Sequence, residues 1–139
     1  AALRCAADLM RVRTPLVVGG RSAGARSAAR TARALGATGC LALSFPLHQP
    51  GKSEPTRLPE LRAVGLPTLV IQGERDPMGR PEEFPGDLEN LDMVVIPGGD
   101  HGLKVPARGE VSQDEAMGIV VESTLEWLVR EVVGNPSRT

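Results

Sequence analysis

Apolar and polar positions along the chain fall into two rhythms. Leu16 to Val18, Thr38 to Ser44, Leu66 to Gln72 and Asp92 to Ile96 are short runs dominated by Val, Ile, Leu and Ala. Each reads as a strand, Leu16 to Val18 as one buried on both faces and Thr38 to Ser44 as a second buried strand. Around them, apolar residues recur every three or four positions, as on one face of a helix. Residues 1–13 place Leu3, Ala6, Ala7 and Met10 on such a face and leave Arg4, Asp8 and Arg11 for water, until Thr14-Pro15 stops the helix. Ala28, Ala32 and Leu35 mark a second helix, with Arg26, Arg30 and Arg33 on its wet side and Gly36 as its C-cap. Arg57 to Val64 forms a short helix closed by Gly65. Gln113 to Val133 forms a long one, with Met117, Val120, Val121, Leu125, Leu128, Val129 and Val132 as its apolar side and Trp127 near that stripe. The connectors are a proline-punctuated loop at 45–52, an acidic segment at 80–91 with one helical turn, an irregular polar loop at 103–112 and a tail at 135–139.

Strands alternating with helices predict an α/β fold, a parallel sheet with helices on both faces. In such sheets chemistry gathers at the C-terminal strand ends. Three polar residues stand there: Ser22 after the first strand, Asp76 after the third and His101 after the fourth.

The chain has 139 residues, which suits a single domain over 1–139 with a real core. With one Trp, two Phe and no Tyr, that core must be built from Ala, Val, Leu and Ile. A net charge of −1 removes the electrostatic case for a nucleic-acid surface. No apolar run is long enough to cross a bilayer, and without a secretory signature the expectation is a cytoplasmic protein. Cys5 and Cys40 are far apart in sequence, so two buried thiols are expected rather than a disulfide. There is no zinc-ligand spacing and no motif for a metal or organic cofactor; His48 and His101 are the only histidines.

Gly20-Arg21-Ser22-Ala23-Gly24 fits the pattern G-x-S-x-G between a strand and a helix. A nucleophile elbow needs this composition: the serine takes a strained turn, and Gly20 and Gly24 must be small because strand and helix nearly touch. The plain alternative is a glycine-rich turn whose Ser22 caps the helix. A serine hydroxyl is a poor nucleophile. It needs a histidine to take its proton, a buried carboxylate to fix the imidazole tautomer, and N–H donors for the oxyanion. The order Ser22, Asp76, His101 is the chain order of an α/β-hydrolase triad. Glu74 and Asp100 are weaker candidates for the acid, and Asp100 is too close to His101 in sequence to orient that ring. His48 is a candidate pocket residue or a loop-packing histidine. Lys52, Lys104 and Arg75 read as solvated charges.

Taken together, these residues resemble the α/β-hydrolase superfamily. They are most similar to small dienelactone-hydrolase-like proteins related to the third subunit of the NSL histone-acetyltransferase complex and its short testis-expressed relatives. The blocks carrying the resemblance are 17–26, 45–52, 69–77 and 98–106. The resemblance implies Ser22 as nucleophile, Asp76 as acid and His101 as base, with the backbone N–H of Ala23 as one oxyanion donor. It implies hydrolysis of an ester, thioester or related acyl bond of a small-molecule substrate without a cofactor. It also permits a non-catalytic scaffold for protein–protein interaction. Family members carry several strands before the elbow strand, whereas this chain has room for one helix there, so it reads as the C-terminal part of the fold. The second oxyanion donor would lie in the absent part. Leu16 to Val18 would then form a bare edge, to be covered by an N-terminal segment or a homodimer partner.

Overall fold

A computed structural model describes residues 14–134 together with Arg4, Cys5, Ala7 and Asp8. These four N-terminal residues are helical; the stripe through Leu3, Ala6 and Met10, the water-facing Arg11 and the tail at 135–139 lie outside the described residues. The elements are β1 (Val17–Arg21), α1 (Ala23–Thr31), β2 (Gly39–Leu43), α2 (Leu58–Arg62), β3 (Thr68–Gly73), a 3-10 turn (Pro81–Glu83), β4 (Leu91–Ile96) and α3 (Gln113–Trp127), which continues as a π-helical turn over Leu128–Val133. The four strands are parallel and lie in sequence order, β1-β2-β3-β4.

Alternation along the strands divides the core in two. Cys40, Ala42 and Val70 face α1 and α2, where they pack with Ala25, Ala28, Ala29, Ala32 and Leu61. Leu41, Leu43, Leu69, Ile71 and Ile96 face the other way, onto Ala116, Trp127 and Val132 of the C-terminal helix. The alanine face of α1 lets that helix lie close to the sheet. On the other side Trp127 does the filling: a Cβ on Gly39 would come within 2.9 Å of its ring.

All six residues of β3 are buried. The expectation of a strand buried on both faces fails for Leu16, Val17 and Val18, which are only half-buried, because among the described residues β1 has β2 as its single partner. Helix α1 is regular only to Thr31; a looser turn follows and ends at the left-handed Gly36, after which the Ala37 N–H donates back to the Ala32 carbonyl. Arg26 is not simply wet: its Nε and Nη2 donate to both carboxylate oxygens of Glu60, at 3.0 and 2.6 Å, tying α1 to α2. The loop at 103–112 contributes Leu103 and Val105 to the core, so it is less polar in effect than in composition. The apolar side expected for the C-terminal helix is displaced. Met117, Val121, Leu125 and Val129 are exposed, and Trp127 is at the centre of the buried face. Both cysteines are free; Cys40 is buried as expected, with its thiol pushed by burial up to about 11, but Cys5 is exposed. No helix among the described residues is long and apolar enough to cross a membrane.

Candidate active site

Ser22 stands between β1 and α1 at φ 55°, ψ −117°, a backbone region that L-residues avoid. Its N–H donates to the Leu43 carbonyl at 3.0 Å, fixing the turn to the end of β2. The side chain does not cap α1. It reaches across the sheet edge instead, and Ser22 Oγ lies 2.7 Å from His101 Nε2. Ala23 opens α1, so its N–H has no acceptor within the helix. Of the two flanking glycines, only Gly20 requires the absence of a side chain: its Cβ would lie 2.4 Å from the Gly24 carbonyl carbon, whereas a Cβ on Gly24 meets nothing within 4 Å. The expectation that both positions must be small is thus corrected for Gly24. Its backbone, rather than any space for its side chain, makes the close approach.

His101 Nδ1 lies 3.0 and 2.9 Å from the two carboxylate oxygens of Asp76. Asp76 is fully buried, and His101 keeps about a quarter of its side-chain surface exposed, at 27%. The carboxylate also accepts from the Met78 N–H at 2.8 Å and from Gln72 Nε2 at 3.3 Å. Ser22, His101 and Asp76 thus form one continuous hydrogen-bonded series. The other acid candidates serve the loops. Glu74 accepts from the Gly98 N–H at 3.0 Å, and Asp100 Oδ1 accepts from the N–H groups of Gly102 and Lys104 at 2.8 and 2.9 Å.

Several residues that hold this arrangement are not evident from the sequence. Gln72 is a buried amide inside an apolar strand. Its Oε1 accepts from the Phe45 N–H, and its Nε2 faces the Phe45 and Gly79 carbonyls at 3.0 and 2.8 Å. The polar interruption of a buried run is the signal that marks it. Gln113, at the start of α3, grips the loop behind His101 through the Val105 N–H and the Leu103 carbonyl, at 3.0 and 3.1 Å. Gly73 lets that loop cross the end of β3, since a Cβ there would lie 2.4 Å from the carbonyl oxygens of Gly99 and Asp100.

His48 is buried and touches neither Ser22 nor His101. Its ring sits between the Gln49 carbonyl and the Glu83 carboxylate. It lines a cavity of about 250 Å³ with Gln49, Lys52, Glu54, Thr56 and Arg57. Lys52, Lys104 and Arg75 are exposed. Among the described residues no cluster of His, Cys, Asp and Glu is arranged to hold a metal ion.

A parallel α/β sheet with this series at its C-terminal edge has the architecture of the α/β hydrolases, and the sequence agrees. The family model for the alpha/beta hydrolase domain matches residues 1–129, and the chain belongs to that family. Three solved structures share the fold. An alpha-beta serine hydrolase homologue from Coxiella burnetii superposes with a TM-score of 0.59 at 17% identity, over 91% of this chain and 54% of that one. The esterase domain of a Rhodothermus marinus protein gives 0.58 at 16% identity, over 95% and 68%. A lidless α/β serine hydrolase from Xanthomonas campestris gives 0.54 at 20% identity, over 96% and 57%. The chain therefore spans little more than half the length of two of these three. No curated protein matches the sequence.

Proposed function

We propose that this chain carries the nucleophile, base and acid of a serine hydrolase acting on an ester, thioester or related acyl bond of a small molecule. The observation carrying this reading is the series Ser22 Oγ, His101 Nε2, His101 Nδ1, Asp76. The esterase and serine hydrolase descriptions of the structural neighbours are consistent with it.

With Nδ1–H donated to Asp76, the lone pair of Nε2 faces the Ser22 hydroxyl. Oγ attacks the acyl carbonyl carbon while its proton passes to Nε2, and the carbonyl becomes an oxyanion. The Ala23 N–H, at the N-terminus of α1, is the donor this reading assigns to that charge. His101 then protonates the leaving alkoxide or thiolate. Asp76, buried against the ring, stabilises the imidazolium between the two steps. Water deprotonated by the same Nε2 attacks the acyl-enzyme and returns Ser22 to its hydroxyl form. None of these steps calls for a cofactor.

The test is intact-mass analysis of the whole protein after exposure to a fluorophosphonate, with Ser22→Ala as control. One adduct per chain is expected, abolished in Ser22→Ala. A folded protein that takes no adduct points to the second reading, a non-catalytic scaffold. The exposed apolar stripe on α3 favours that reading as an interaction surface.

A further inference from the structure

The two nitrogens of the His48 ring both face acceptors. Nδ1 lies 2.9 Å from the Gln49 carbonyl oxygen, and Nε2 lies 2.8 Å from Glu83 Oε1. A neutral imidazole has one N–H and one lone pair, so it satisfies one of these contacts and points a lone pair at the other. The other oxygen of Glu83 accepts the N–H of Arg80, and Arg80 and His48 together hold the Glu83 carboxyl below its ordinary value, so it faces the ring as a carboxylate near neutral pH. A ring carrying both protons satisfies every contact.

What this ring holds is the segment bearing the triad-like acid. The His48 N–H donates to the Met78 carbonyl at 3.1 Å, and the Met78 N–H donates to Asp76 Oδ1 at 2.8 Å. One residue later, the Gly79 carbonyl is taken by Gln72. The ring then fixes Glu83, four residues further on. Residues 76–83 are therefore gripped at three points: Gln72 of β3 supplies one, and His48, in the loop after β2, supplies the other two.

We propose that His48 is held as an imidazolium that latches the Asp76-bearing turn, making it a positioning residue for the acid rather than a catalytic one. This rests on the serine hydrolase reading above. The charges facing the ring come from three elements. Glu83 belongs to the 3-10 turn, with Arg80 beside it; Asp76 follows β3; Lys52, Glu54 and Arg57 border the same cavity from the ring's own loop. The carboxylates of Glu83 and Asp76 are the groups that act on the ring itself. The Gln49 carbonyl and then Glu83 hold His48 above its ordinary value against the opposing cost of burial. Burial pushes Glu83 up, but the Arg80 N–H and His48 outweigh it and hold the carboxyl below its ordinary value.

The sign follows. The latch is complete below the ordinary histidine range and opens as pH rises through the elevated value in the folded protein. Nitrogen-15 NMR of the imidazole rings in the whole protein, followed against pH, reads the charge directly. The expected result is a doubly protonated His48 at pH 7. In Glu83→Gln, which keeps the shape and an acceptor, the ring should lose its proton about one pH unit lower. The fluorophosphonate labelling rate should fall on the alkaline side with the His48 titration, and that fall should move with Glu83→Gln. His48→Gln should slow labelling about tenfold at pH 7 and abolish the alkaline fall. A singly protonated His48 at pH 7 overturns the latch whatever the labelling does. A doubly protonated ring with an alkaline limb unmoved by Glu83→Gln overturns the positioning role alone. A wild-type protein that never labels overturns the hydrolase reading and the positioning role with it, while the NMR still decides the charge.

Discussion

The backbone of Ser22 costs on the order of 1–3 kcal/mol relative to a relaxed conformation, and the bond from its N–H to the Leu43 carbonyl helps hold it there. Gly20 and Gly24 look equivalent in the motif and are not equivalent in space. Gly20→Ala drives a Cβ into the Gly24 carbonyl and must lift α1 off β1. A loss of about 2 kcal/mol in stability and at least about a hundredfold in fluorophosphonate labelling is expected, read by thermal melting and intact mass. Gly24→Ala places its methyl in open space within the first turn of α1. It should label as wild type and gain roughly 0.5–1 kcal/mol, because glycine loses more backbone freedom on folding. Ser22, Asp76 and His101 could be picked out in the sequence because Ser22 directly follows β1, Asp76 and His101 stand in the loops just beyond β3 and β4, and a parallel sheet brings strand ends together. Gln72, Gln113 and Glu83 could not. Their importance lies in which backbone groups they meet, across 27 residues in the Gln72–Phe45 pair, and no local pattern encodes that.

Helix α3 shows a different limit. Periodicity identified an apolar face but not which part of it meets the sheet. Apolar residues occupy more of the helix than the sheet can cover, and the choice among them is made by Trp127 settling over Gly39. Arg130, paired with Asp92 at 2.8 Å, lies on the side of the helix that faces β4. Met117, Val121, Leu125, Val129 and Val133 are left 41–73% exposed in a row spaced by four. Such a row is larger than scattered surface hydrophobics and reads as a face awaiting cover. The 139-residue chain alone should therefore self-associate. Val121→Lys combined with Leu125→Lys should shift it toward monomer in sedimentation without lowering its melting temperature, since both side chains are already exposed. A wild-type chain that is monomeric at high concentration contradicts this expectation.

At the scale of the molecule, the strands lie in the sheet in the order in which they occur in the chain. The parallel α/β class was legible because each strand–helix alternation is local. The same topology orders events in time. Each strand pairs with the one before it, across short crossovers, so the sheet can grow by successive additions. The Ser22–His101 contact is different: it spans 79 residues and joins the end of the first strand to the end of the last. Its loop-closure entropy is met only when every intervening strand is in place. During refolding from denaturant, far-ultraviolet circular dichroism should thus recover before the capacity to take a fluorophosphonate does. The serine is in effect a clock for the last step of assembly, reporting when the two ends of the sheet have come into register.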